Sequence, residues 1–131
     1  MDNSTVMQMG EDAEGFMGVM PYRYYYDDAA DAPMLKKIRE MRPQYQSTGY
    51  MQGFLAAMLF TEVAKRTLDA GKELTSANMK AALEGIKDFD TGGLIGVPIS
   101  IKGNSIPVGR IYRADTKQKQ MVPASDWIVL Q

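Results

Sequence analysis

Residues 85–101 read GIKDFDTGGLIGVPISI, and the apolar period of the chain changes inside them. Before this stretch apolar residues recur every three to four positions. From Ile95 they recur at every second position, as Ile95, Val97, Ile99 and Ile101, with Gly96, Pro98 and Ser100 between them. The first spacing is that of a helix with one buried face and the second that of a strand with one buried face. Gly92 and Gly93 stand at the junction, where the chain must turn and a residue without a side chain turns most freely. The stretch predicts a helix, a glycine turn and a strand, and with them an α/β fold. Pro98 places the strand at a sheet edge or a bulge.

The same glycines do not make a phosphate cradle. A dinucleotide fingerprint runs from strand through glycine-rich turn to helix, whereas Gly92, Gly93 and Gly96 follow a helix and precede a strand. Gly71 and Lys72 lack both the earlier glycine and the following Ser or Thr of a nucleotide-binding loop.

Upstream of the turn, a short helix is predicted from Ser76, capped by Thr75, with Met79, Leu83 and Ile86 on its buried side. QSTGYMQGFLAAMLFTEVAKRTLDAG predicts the longest helix. Ser47 or Thr48 supplies its cap, and Met51, Leu55, Met58, Leu59, Val63 and Leu68 form its apolar stripe. Lys65 and Arg66 sit near the negative end of its dipole, with Gly71 beyond, while Gly53, Ala56 and Ala57 leave room for a close neighbour. A third helix is capped by Asp31, has Pro33 in its first turn, and presents Met34, Leu35, Ile38 and Met41 before Pro43 ends it. FMGVMPY, residues 16–22, predicts a buried strand that stops at proline. Downstream, KGNSIP is a turn, and VGRIYRA and MVPASDWIVL are strands joined by the polar turn DTKQKQ.

Composition excludes several function classes. A chain of 131 residues, 45% hydrophobic and 24% charged, suits one globular domain. Fifteen basic and sixteen acidic side chains leave a formal charge of -1, so no overall positive field exists to hold nucleic acid or an anionic membrane surface. Without cysteine or histidine the chain cannot build a disulfide, a Cys/His zinc site, a thiol nucleophile or a Ser-His-Asp relay. No carboxylate pair has a spacing suited to acid–base chemistry, so no catalytic residue, metal site or cofactor is expected, and the chain does not read as an enzyme. No run of about eighteen apolar residues occurs. MDNSTVMQMGEDAEG is acidic where a secretory leader is basic and then apolar, so the chain as written is expected to stay in the cytoplasm.

Tyr22, Arg23, Tyr24, Tyr25 and Tyr26 are the most unusual local composition. They suit the wall of a ligand cleft, with Arg23 pairing a carboxylate, and equally a strand end packed against a neighbouring layer. Asp27, Asp28 and Asp31 lack the glycine and terminal glutamate of an EF-hand loop and read as a solvated loop and helix cap. Glu11, Asp12 and Glu14 read the same way. The eleven methionines fall mostly at helical spacing and read as core filler.

GEDAEGFMGVMPY, a capped helix, YQSTGYMQGFLAAML, ALEGIKDFDTGGLIGVPISI and SDWIVL occur in that order. The series resembles the C-terminal part of branched-chain amino-acid receptors, the type I periplasmic substrate-binding proteins of ABC transporters. It covers nearly the whole chain and rests on order and spacing rather than on any one motif. The resemblance implies part of a fold of two α/β lobes, joined by crossover strands and closing over a ligand, here with three main helices and a few terminal strands. Residues 1–131 would be a single partial receptor unit. Residues 1–30 would end a second-lobe segment, 31–87 would be helical and mainly first-lobe, and 88–131 would return to the second lobe. Gly92 and Gly93 would turn the chain back across the hinge.

In this family an aromatic ring five residues before the tyrosine of the long helix packs on the ligand. Those positions are Tyr45 and Tyr50, so Tyr45 is the first candidate ligand residue, and Tyr22, near a crossover, is the second. The groups that hold an amino acid's carboxylate and ammonium would lie upstream. The function implied is solute binding for an ABC uptake system. The ligand would be an amino acid or small carboxylic acid, bound once the missing lobe is supplied, with an ABC permease as partner and a periplasmic location. Family members are longer, so this chain would expose faces that other elements cover, which predicts a homo-oligomer. The alternative is an interaction module that keeps this architecture without a transport ligand.

Overall fold

The computed structural model describes residues 2–130. Helix α1 (Asn3–Met9) leads through a 3-10 turn (Gly10–Ala13) to strand β1 (Met17–Met20), and helices α2 (Pro33–Met41), α3 (Thr48–Asp69) and α4 (Ser76–Glu84) follow. Strands β2 (Val108–Asp115) and β3 (Gln120–Val129) close the chain. The strands form one antiparallel sheet in the order β1-β2-β3. No helix among the described residues is long and apolar enough to cross a membrane.

α1 was not expected, because its segment is polar and short. It is held from outside: Asp2 caps it through the Ser4 amide, Asn3 Oδ1 accepts the Met121 N–H at 2.8 Å, and Val6 is buried. α2 begins at its proline as expected, but its N-cap is Ala32 and no side chain bonds there. Asp31 is drawn away by Arg23, at 2.9 Å, and an ion pair outweighs a cap. Leu35 and Ile38 are buried, while Met41 is 50% exposed and leaves the predicted stripe. In α3, Ser47 is the cap, Met51, Leu55, Val63 and Thr67 are buried, and Leu68 faces solvent. Thr75 caps α4 through the Asn78 amide, and Met79 and Leu83 are only half-buried there.

FMGVMPY does form a strand, but an edge strand whose Met17 and Val19 are exposed rather than buried. β2 and β3 slip register between Arg110 and Tyr112, and the Ser125 hydroxyl satisfies the amide of the intervening Ile111 at 3.0 Å. Pro123 is tolerated because β3 is the other edge.

The predicted strand at 95–101 is not formed. A strand needs a neighbouring ladder, and here the backbone groups are taken singly. Thr91 Oγ1 accepts the Ile95 amide at 2.9 Å, the Arg23 amide bonds the Leu94 carbonyl at 2.8 Å, and Pro98 has no amide. What remains is an isolated bridge between Phe89 and Ile99. The alternation still has a cause: Ile95 and Ile99 are buried, whereas Gly96 is pressed on Trp127, so that a Cβ would lie 2.0 Å from the indole nitrogen.

Gly92 and Gly93 do form a turn, with φ of +65° and +81°. A Cβ on Gly93 would lie 2.5 Å from Ala32 Cα, and one on Gly92 2.9 Å from Met34 Cβ. Gly103 has a similar φ of +60° but open space around it. Gly103→Ala should therefore cost only the backbone term, about 1 kcal/mol. Gly93→Ala should cost at least about 2–3 kcal/mol, because a backbone contact must also yield. Urea unfolding of the two variants checks this, and equal losses would show that packing at Gly93 is not tight.

The buried residues fall into two clusters. The larger joins Leu35 and Ile38 of α2 and Met51 and Leu55 of α3 with Leu94, Ile95 and Ile99. The smaller joins Val6 and Ala13 to Tyr24 and to Tyr112, Ala114 and Met121 of the sheet. The tyrosine-rich segment 22–26 contributes to both clusters.

Candidate functional site

The structure brings Tyr22 and Tyr45 to one corner, where the segment before α3 meets the N-terminal residues. Asp2 is its centre. Its Oδ1 accepts the Ser4 amide at 2.8 Å, the Ser4 hydroxyl at 2.9 Å and the Tyr45 hydroxyl. Its Oδ2 accepts the Thr48 amide at 2.7 Å and the Thr48 hydroxyl at 3.0 Å. The carboxylate thus sits at the starts of both α1 and α3, where unpaired amides and helix dipoles favour negative charge. Tyr22 is buried and donates a long hydrogen bond, 3.4 Å, to the Thr48 carbonyl.

Rings stiffen this corner. Tyr45 stacks on Tyr26 at 5.3 Å between centroids and meets the edge of Tyr25 at 5.9 Å. Tyr25 is fixed by its hydroxyl, which donates to the Arg42 carbonyl, and by the Arg39 guanidinium over its ring. Aromatic rings carry few rotatable bonds, so the wall keeps its shape.

The titratable groups of this corner are shifted away from neutral pH. Burial alone would raise the Asp2 pKa, but the Thr48 amide, the Tyr45 hydroxyl and the Ser4 groups outweigh it and hold the pKa down, from 3.8 to about 2. Burial, and then the hydrogen bond to Asp2, push the Tyr45 hydroxyl well above its ordinary value. Burial raises Tyr22 in the same sense.

Arg23 does not face this corner. It is buried, and its Nε donates to the Gly93 carbonyl at 2.8 Å, its Nη1 to the Asp28 carbonyl at 3.1 Å and its Nη2 to Asp31 at 2.9 Å. The carboxylates it meets are the protein's own. Asp27, read as solvated, is buried: it accepts the Tyr112 hydroxyl at 2.6 Å and lies 3.8 Å from both Arg23 and Arg110. Glu14 is exposed, as read, and accepts from the Thr116 amide and hydroxyl and pairs with Arg113. Asp2 was missed as the partner of Tyr45, and Thr48 as that of Tyr22. Asp2 lies 43 positions from Tyr45, and no local pattern joins them. Among the described residues no group of three or more acidic side chains is placed to hold a metal ion.

A family model described as periplasmic binding protein matches residues 1–120. The chain belongs to the periplasmic binding protein family. Among solved structures, this family member is similar to a branched chain amino acid ABC transporter from Thermus thermophilus with bound valine, with a TM-score of 0.78 at 20% identity. The match covers 99% of this chain and 37% of that one, so the likeness is one of fold over part of its length. Among curated proteins, none matches.

The Asp2 contacts give a pH dependence with a definite sign. A carboxyl whose pKa is lower folded than unfolded stabilises the fold above its unfolded value, and that contribution is lost as pH falls through the folded one. Asp2→Asn should therefore be less stable than wild type at pH 7, with the gap closing as pH falls from about 4 to about 2. Urea midpoints of both proteins across that range check it, and a gap independent of pH would remove Asp2 as the cause.

Proposed function

We propose that this chain serves in solute binding for an ABC uptake system, taking branched-chain or related amino acids or small carboxylic acids between two lobes. The observation that carries the reading is the convergence of Tyr22 and Tyr45 on the Asp2–Thr48 corner. It is a rigid, partly polar wall beside a junction of two cores. Membership of the periplasmic binding protein family supports it, as does likeness in fold to a structure with bound valine. Tyr45 packs on the ligand, with Tyr22 behind it, and Gly92 and Gly93 pass the chain between lobes. Residues 1–30 and 88–131 belong to the second lobe and 31–87 mainly to the first. An ABC permease is the partner, the location is periplasmic, and ligand is captured and released unchanged.

The chain spans 37% of the solved structure it matches, so ligand capture requires the remainder of a receptor, supplied on the same or another polypeptide. By itself the chain associates with its own kind, because apolar faces are left open on both helices and sheet.

A thermal-shift screen with leucine, isoleucine, valine and phenylalanine tests the reading, with the complementary receptor portion present. A ligand at one hundred times its Kd should add ~2.7 kcal/mol and raise the midpoint of the completed receptor by roughly 4 °C. Tyr45→Ala should weaken binding about tenfold or more, and Tyr45→Phe, which keeps the ring, should lose less. No shift with any compound would sink the binding role, and unchanged affinity in Tyr45→Ala would remove that residue from the site.

A further inference from the structure

Three rings of the tyrosine corner form one series from core to surface. Tyr25 is 3% exposed and lies at its base, with its hydroxyl donated to the Arg42 carbonyl. Tyr45 is half-buried, and its hydroxyl is donated to Asp2. Tyr26 is 46% exposed and touches both, at 5.3 Å between centroids in each case. It lies nearly flat on Tyr45, at 24° between planes, and crosses Tyr25 at 74°.

This order decides what a ligand at Tyr45 can touch. One face of the Tyr45 ring is covered by Tyr26, and its hydroxyl is already spent on Asp2. The Arg39 guanidinium over Tyr25 is turned inward, with Nε on the Tyr25 carbonyl at 2.8 Å and Nη2 on the Asp27 carbonyl. What the series presents outward is the flat ring of Tyr26. A ring face suits an apolar side chain better than it suits a charged end. The ring is already held by two neighbours that are themselves hydrogen-bonded, so contact with it costs little further ordering.

We propose that Tyr26 is a specificity-determining residue, on whose ring the apolar side chain of the bound amino acid lies. Tyr45 holds that ring from behind and meets the ligand at its own uncovered rim. This rests on the binding role proposed above for Tyr45, and it names the part of the ligand that the corner reads.

Isothermal titration calorimetry tests it, on the receptor assembled from this chain and its complementary portion. Leucine, phenylalanine and alanine are the probes, since they share carboxylate and ammonium groups and differ in side chain. Tyr26→Ala should weaken leucine and phenylalanine about tenfold and alanine less than about twofold, because a methyl group covers little of the ring. Tyr26→Phe, which keeps the ring, should bind all three as wild type does. Tyr26→Leu serves should Tyr26→Ala alter the circular dichroism, and it should lose more for phenylalanine than for leucine. Bound leucine should also protect Tyr26 from nitration by tetranitromethane, read from the mass of its peptide. Unchanged leucine affinity in Tyr26→Ala, or nitration that leucine does not slow, overturns the subsite. An equal loss for all three amino acids also overturns it and leaves Tyr26 a support for Tyr45. A wild-type receptor that binds none of the three overturns the binding role and this subsite together.

Discussion

The rest of the structure depends on one buried cation. Arg23 is 4% exposed, and its guanidinium is spent on the Gly93 and Asp28 carbonyls and the Asp31 carboxylate. A charge removed from water must be paired and hydrogen-bonded or it destabilises the fold by several kcal/mol, on the order of 3–5 when a partner is lost. Arg23 meets that demand by drawing three separate parts of the chain to itself. The glycine turn, the aspartate loop and the start of α2 are held in one arrangement, and Asp31 forgoes the helix cap as a result. The same cluster reaches the sheet, because Asp27 lies beside Arg23 and takes the Tyr112 hydroxyl. Burial and the Asp27 carboxylate push Tyr112 far above its ordinary pKa, so it stays a donor throughout the usual pH range.

Asp2 plays a comparable part at the opposite side of the tyrosine segment, joining α1 to the start of α3. The two hydrophobic cores meet at Met20 of β1, which packs against both. Hydrogen bonds are directional and break at a definite geometry, whereas apolar contacts slide.

Incomplete layering explains the remaining features. Edge strand β1 with exposed Met17 and Val19, the bare α3 ridge and the apolar outer face of the sheet are faults in a finished domain. They are ordinary in a chain that spans 37% of the structure it resembles.

Much of the helical content was legible from local signals: Ser47 and Thr75 as caps, Pro33 in a first turn, and Met51, Leu55 and Val63 at helical spacing. These depend on neighbours within a few positions, which the sequence displays. The glycine turn was legible for the same reason, since few residues other than glycine accept a positive φ at both positions. The tertiary structure alone decided whether the alternation after Gly93 became a strand. A ladder needs a partner, and the backbone of 94–98 found Thr91 and Arg23 instead. It alone decided that Asp27 is buried, that Asp31 serves Arg23, and that Asp2 meets Tyr45. Such pairings follow from long-range electrostatics and packing, which no local period encodes.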